Sequence, residues 1–452
     1  MILLAGGELA AAAGAELARD APGSPGRASI DSRDVRAGDL FVGLAGERDD
    51  GGCYAPDALA AGAWGVVVSP AHAAAALEAG GGAVLVAPEP LQALQHIARR
   101  WRAELGAQVY ALTGSTGKTS TKDILASLLT RAGLEVVATP GNLNTEIGVP
   151  LVILSASRGC QALVLEFAMR GEGQIALLTA LADPDVGLIV NVGPAHIELL
   201  GSIDAIAAAK AELFAGLRPG AAAVLPADEP LLARHVRADL ENLTFGPGGD
   251  VELTRDADGA ATIVGPGRTT RLEPDFAQRH QLRNLVAAVA AAWAGGVDVA
   301  AGPLAVAFSG MRGARLELPD GIELIDDSYN ANPDSMRAAL VDLADTAPGR
   351  RVAVLGEMCE LGSHAPALHE EVGREAARSG VEVLIAVGEH AAQLAGPLGS
   401  AGHVAGDVAG AAELADELLR PGDTVLVKGS RAVGMEAVVG ALVARRGPAE
   451  PR

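Results

Sequence analysis

Short runs of Val, Leu and Ile alternate along the chain with longer alanine-rich stretches whose apolar residues recur every three or four positions. The runs, bounded by Gly, Pro, Asp and Asn, predict buried strands, and the longer stretches predict the helices that cover them. Candidate strands are Trp64–Ser69, Val109–Thr113, Ala162–Phe167, Val186–Val192, Glu323–Asp326, Arg351–Leu355, Val381–Val387 and Thr424–Lys428. This alternation predicts an α/β chain built on parallel sheets. A polar helical segment at Pro90–Glu104 and the stretch Ser309–Pro319, which precedes a fresh βα series, suggest three domains at 1–100, 101–310 and 311–452. Within the middle one, Gly246–Arg271 reads as turns and short strands, an insertion.

Length agrees with this division: 452 residues are about three times a typical domain. The formal charge of −21 argues against a nucleic-acid partner, since no global positive field is available. The most apolar stretch, Leu285–Phe308, is interrupted by Asp298 and Pro303, so no membrane span is expected. No basic region precedes the first apolar residues, as a secretion signal would require. Cys53, Cys160 and Cys359 lie too far apart for a CxxC pair or a disulfide framework. A soluble, cytoplasmic enzyme is expected.

The strongest motif is Leu112-Thr113-Gly114-Ser115-Thr116-Gly117-Lys118-Thr119, set between an apolar strand and an amphipathic helix. Successive backbone N–H groups in such a loop, together with the helix N-terminus, form a concave site for phosphate oxygens. Lys118 would reach the β- and γ-phosphates, and the Thr119 hydroxyl would ligate Mg²⁺. Leu112 stands where the full pattern has its first glycine. An ordinary Gly/Ser-rich turn is the plain alternative, but the strand–GKT–helix context favours ATP or GTP.

Glu166 closes the strand Ala162–Phe167, at the edge where ligands bind in open α/β sheets. It is either a carboxylate for the nucleotide's metal or a strand end facing water. His196, in the loop after another apolar strand, is weak evidence alone. Lys210 falls inside the helical stripe of Ile203, Ile206, Ala207, Leu213, Phe214 and Leu217. A lysine there is either paired, neutralised or modified, or its stem packs while the ammonium reaches water. His364 and His369, near the start of a helix, read as solvated residues.

Together, Leu112–Thr119, Gly141–Pro150, the His196 segment and Ala209-Lys210-Ala211-Glu212 resemble the Mur ligases, ATP-dependent amide-forming enzymes of peptidoglycan synthesis. Asp326–Met336, Gly356–Gly362 and Lys428-Gly429-Ser430-Arg431, with Asp31-Ser32-Arg33, Gly38–Val42 and Gly46-Glu47-Arg48, resemble the branch that joins D-alanyl-D-alanine to UDP-N-acetylmuramoyl-tripeptide. The resemblance spans nearly the whole chain. It implies a smaller N-terminal α/β domain for the UDP end, a central P-loop-type ATPase domain and a C-terminal Rossmann-like domain, in a monomer.

The resemblance also implies roles. Gly114, Ser115, Thr116, Gly117, Lys118 and Thr119 would hold the ATP phosphates, with Thr119 and Glu166 on one Mg²⁺. His196 and a carbamylated Lys210 would hold a second Mg²⁺. Asn284, in His280-Gln281-Leu282-Arg283-Asn284, would lie near the adenine, although Gln281 replaces the family's first Asn. Arg312, with Arg315 as its alternative, would reach the phosphates, and Asp327 the ribose. Asn144 and Thr145 would face the UDP-linked substrate, and Ser32, Arg33 and Glu47 its uridine end. Asn330, Asn332, Lys428, Ser430 and Arg431 would serve the dipeptide and domain closure. Asn332-Pro333 reads equally well as a helix N-cap followed by Pro at the first helical position.

The implied reaction passes through an acyl phosphate that the dipeptide's amine captures. Two other readings compete. A different amide ligase of the superfamily lacks support, because the chain has no Asp-Asn-Pro-Arg motif and carries Gly-Lys-Thr where folylpolyglutamate synthases show Gly-Lys-Gly. A nucleotide-dependent switch would have no need of the Glu166–His196–Lys210 set.

Overall fold

The computed structural model describes residues 2–46, 49–256 and 259–447. Its first sheet has five strands in the order Glu16–Arg19, Ala83–Val86, Gly65–Val68, Leu40–Val42, Ala28–Ser29, with only the Glu16–Arg19 pairing antiparallel. The helix Pro90–Leu105 leads out of it. Ala93, Leu94, Ile97, Ala98, Trp101 and Leu105 form its buried stripe, and the Trp101 indole N–H donates to the Ala156 carbonyl at 2.9 Å. The segment foreseen from its polar face is therefore a joint packed on both sides.

The second sheet is wholly parallel: Glu241–Phe245, Ala222–Pro226, Val186–Ile189, Gln108–Thr113, Ala162–Glu166, Val136–Ala138. From the central strand Gln108–Thr113 the chain crosses to the edge strand Val136–Ala138, returns to Ala162–Glu166, and then builds the other side of the sheet. The crevice at the carboxyl ends of its neighbours is thus a topological switch point, where such sheets bind ligands. The helix Lys118–Arg131 starts there, burying Ile124, Leu125, Leu128 and Leu129, and packs on Arg279–Ala294, whose residues Leu285–Trp293 are buried throughout. The first part of the apolar stretch noted in the sequence, Leu285–Ala294, is thus in a core helix, and the rest carries the strand Gly302–Leu304. No helix among the described residues is long and apolar enough to cross a membrane. The insertion is a small sheet in which Glu252–Arg255, Ala261–Gly265 and Arg268–Pro274 pair antiparallel and Gly302–Leu304 adds parallel.

Asp123, on the helix Lys118–Arg131, accepts from the Ser309 backbone N–H (2.8 Å) and hydroxyl (3.2 Å), which pins the start of the connection to the last sheet. That sheet runs Ala314–Leu318, Ile322–Asp327, Thr424–Lys428, Arg351–Gly356, Val383–Val387, Gly402–Ala405, parallel except for its first strand. His369 departs from expectation. It is fully buried, its Nε2 accepting from the Met358 N–H (2.9 Å) and its Nδ1–H donating to the Ala365 carbonyl (2.7 Å). One turn of helix separates it from Ala365, so the local turn supplies a partner that the sequence pattern does not reveal.

Candidate active site

Gly117 ends the phosphate loop at φ +73°, a left-handed conformation that a side chain disfavours, and a Cβ there would lie 2.6 Å from the Asn284 carboxamide oxygen. The loop is held from behind by Asn191. Its Oδ1 accepts from the N–H groups of Ser115 and Thr116, each at 2.9 Å, and its Nδ2 donates to the Thr116 hydroxyl at 2.7 Å. Ser115 Oγ donates to the Gly193 carbonyl and accepts from the Gly193 N–H, both at 2.9 Å. The strand Val186–Ile189 thus delivers a segment that shapes the loop as well as carrying His196. Lys118 folds back to donate to the Gly114 carbonyl at 2.8 Å. Burial pushes its pKa down, with Glu166 opposing and Arg312 reinforcing that shift.

Glu166 is buried, not a strand end facing water. One carboxylate oxygen accepts from the Thr119 hydroxyl (2.7 Å) and the other from Asn144 Nδ2 (2.9 Å). A hydroxyl and a carboxylate in direct contact beside a phosphate loop are the hard oxygen donors that Mg²⁺ takes. Lys210 is 2% exposed, so its side chain is almost wholly enclosed. No hydrogen bond or ion pair to it is found among the described residues, and burial, with the charge of Lys118, pushes its pKa well below the ordinary lysine range. That favours the neutral amine, the form that adds carbon dioxide. His196 sits at φ +62° with its Nδ1 on the carboxylate of Glu360, and burial is the largest influence lowering its pKa.

One cavity of about 750 Å³ joins these parts to the last sheet. Of the residues foreseen from sequence, Ser115, Thr116, Gly117, Lys118, Thr119, Asn144, Thr145, Glu166, His196 and Asn284 line it from one side. Arg312, Asp327, Asn330, Asn332 and Lys428 line it from the other. The Arg312 guanidinium lies 4.3 Å over the Tyr329 ring, its Nε buried without a hydrogen-bond partner among the described residues. Arg315 does not line the cavity; it bonds Glu323 (2.9 Å), Asp342 (3.2 Å) and Thr346 (2.7 Å). Gln281 bonds the Asn284 amide at 3.2 Å and Ser120 at 3.4 Å, filling the place of the missing Asn with a structural partner. Lys428 pairs with Asp327 at 2.6 Å. Asn332 caps Pro333–Thr346 through the Ser335 N–H (2.9 Å), as its N-cap pattern predicts, and donates to the Ser115 carbonyl (3.3 Å).

Gly114 lies under the loop, and Lys210 and Ser430 are buried outside the cavity lining. Ser430 Oγ accepts from the Cys359 N–H at 2.9 Å, and Arg431 pairs with Glu436. Ser32 and Arg33 are also outside it: the Arg33 side chain is 88% exposed and paired with Asp31. Glu47 lies outside the described residues. Residues in or beside the site with no role assigned from sequence include Asn191, Arg170, Tyr329 and Glu360. Asn191 and Glu360 stand inside motifs that were legible, but only folding reveals their contacts.

Comparison with known proteins matches this geometry. The Mur ligase middle domain matches residues 112–292, the Mur ligase glutamate ligase domain 311–431, and the Mur ligase family catalytic domain 28–102. A UDP-N-acetylmuramoyl-tripeptide–D-alanyl-D-alanine ligase of Mycobacterium tuberculosis is 39% identical, over 93% of this chain and 92% of its own. The chain belongs to the Mur ligase family. Among solved structures, MurF from Acinetobacter baumannii is similar with TM-score 0.87 and 28% identity, covering 98% of this Mur ligase and all of that chain. MurF from Thermotoga maritima in complex with ADP is similar with TM-score 0.80 and 31% identity, over 93% and 98% of the two chains. The three-domain α/β architecture is that of these enzymes.

Proposed function

We propose that this Mur ligase joins D-alanyl-D-alanine to UDP-N-acetylmuramoyl-tripeptide at the expense of ATP, in the cytoplasmic synthesis of peptidoglycan precursors. The observation that carries the reading is the single cavity running from the phosphate loop to Asn330 and Lys428. Such a space brings a triphosphate, a carboxylate and an amine together. Each domain takes one ligand: 1–100 the UDP end, with Ser32, Arg33 and Glu47; 101–310 the ATP; 311–452 the dipeptide, with Asn330, Asn332, Lys428 and Arg431.

The tripeptide's terminal carboxylate attacks the γ-phosphorus, ADP leaves, and an acyl phosphate forms. The dipeptide's amine then attacks the acyl carbon, and phosphate departs from the tetrahedral intermediate. Lys118 and Arg312 stabilise charge developing on the transferred phosphoryl oxygens. Asn191 keeps the Ser115 and Thr116 amides fixed for the phosphates, which avoids reorganisation during the reaction. Thr119 and Glu166 would hold one Mg²⁺, and His196 with a carbamylated Lys210 a second. Bound there, the ions supply positive charge against the mutual repulsion of carboxylate and triphosphate. Asn284 faces the adenine, Asp327 the ribose, and Asn144 and Thr145 the UDP-linked substrate. Closure of the C-terminal domain over the cavity excludes water, which would hydrolyse the acyl phosphate.

The test is phosphate release with each substrate omitted in turn. Release that requires ATP, UDP-N-acetylmuramoyl-tripeptide and D-alanyl-D-alanine together supports the reading. Equal release with a single amino acid in place of the dipeptide refutes its substrate assignment.

A further inference from the structure

Glu360 belongs to the C-terminal part of the chain yet ends on a residue of the central one. The loop that carries it follows the strand Arg351–Gly356 and is fixed at its base. The Ser430 N–H donates to the Glu357 carbonyl (3.0 Å), the Cys359 N–H to Ser430 Oγ (2.9 Å), and the Met358 N–H to the buried His369 ring (2.9 Å). From this base Glu360 reaches the imidazole of His196, 164 positions away in sequence. Its other carboxylate oxygen lies 3.5 Å from Arg170, and the Glu198 N–H donates to its carbonyl at 3.3 Å. Both Glu360 and His196 have φ +62°, a conformation that residues with a Cβ rarely adopt and that persists where surrounding structure over-determines it. Gly362 packs against Glu198 so closely that an added Cβ would lie 3.0 Å from its Cγ.

A carboxylate is an acceptor only, so the proton between these groups sits on Nδ1. The ring is thereby left with one bare nitrogen, Nε2, the form in which histidine ligates a cation. We propose that Glu360 is a positioning residue through which seating of the C-terminal domain sets the tautomer and orientation of His196. The inference rests on the reading of His196 as a metal ligand. It adds that the second metal site is complete only when the Glu357–Leu361 loop is docked. Ser430 then acts through this loop, as the post that holds it, rather than by touching substrate.

Mn²⁺ titration of the full chain with ADP present, followed by electron paramagnetic resonance, tests this without turnover. Wild type binds two ions, and Glu360→Ala weakens one of them about 10–100-fold, the usual effect of removing an outer-shell partner. Glu360→Gln, whose amide oxygen accepts the same proton, recovers most of that loss, and Glu360→Ala adds nothing to His196→Ala. Thermal melting of each variant separates a lost fold from a lost site. Two wild-type affinities in Glu360→Ala overturn the proposal, as does a folded Glu360→Gln as weak as Glu360→Ala. A wild type that binds only one ion overturns instead the two-metal reading beneath it.

Discussion

Replacing Lys210 by Met should stabilise the apo protein while removing its activity. The lysine is 2% exposed and without a hydrogen bond or ion pair among the described residues, on a helix face shared with the buried Ile206, Ala207, Leu213 and Phe214. Methionine fills nearly the same volume without a polar end. A buried polar group left unsatisfied costs about 1–3 kcal/mol, so Lys210→Met should gain about that much. For a domain of this size the melting midpoint should rise by about 2–4 °C per kcal/mol. The gain also depends on pH. The folded pKa of Lys210 lies below the unfolded value of about 10.4, so the unfolded chain binds more protons between the two, and wild-type stability rises with pH across that window. The advantage of Met is therefore fullest below the folded pKa and fades towards pH of about 10.4. Scanning calorimetry in carbonate-free buffer at several pH values measures both effects, and added bicarbonate should stabilise wild type but not the variant. A variant that melts lower than wild type at neutral pH would refute the reasoning.

Other expectations follow from the same geometry. Lys118→Ala should lower turnover at saturating ATP by about 10³-fold or more, as loss of a charge that acts on the transferred phosphoryl group implies, and steady-state phosphate release checks it. Gly117→Ala forces a side chain into a left-handed position, about 1–2 kcal/mol, and displaces Asn284. It should raise the KM for ATP by roughly 10-fold or more, read from phosphate release against ATP concentration. Arg312→Ala should impair phosphate release with little change in melting. Arg315→Ala, which cuts the bonds to Glu323, Asp342 and Thr346, should lower the melting midpoint and leave the KM for ATP nearly unchanged.

The strands that build the site were legible because they are buried on both faces and therefore read as continuous apolar runs. Gln108–Thr113, Ala162–Glu166 and Thr424–Lys428 lie where expected, each with its functional residue at the carboxyl end. Strands such as Ala222–Pro226 and Val136–Ala138 escaped notice, one because alanine suits a helix equally well, the other because it is a short edge. At the site, chemistry carried in a contiguous loop was readable, as Gly114–Thr119 illustrates. The surroundings of Glu166 and Lys210, which the local sequence left open, became visible only as burial in the fold. Contacts between distant segments left no local trace: Asn191 beneath the phosphate loop, Arg312 over Tyr329 and Glu360 on His196 exist only once the sheets are assembled.

The central claim is that a substrate carboxylate is activated by phosphorylation before the amine captures it. Tripeptide substrate labelled with ¹⁸O in its terminal carboxylate tests this most directly, by mass spectrometry of the phosphate released during ligation. An acyl-phosphate route places one carboxylate ¹⁸O in each phosphate. Unlabelled phosphate accompanying full product formation would contradict the account.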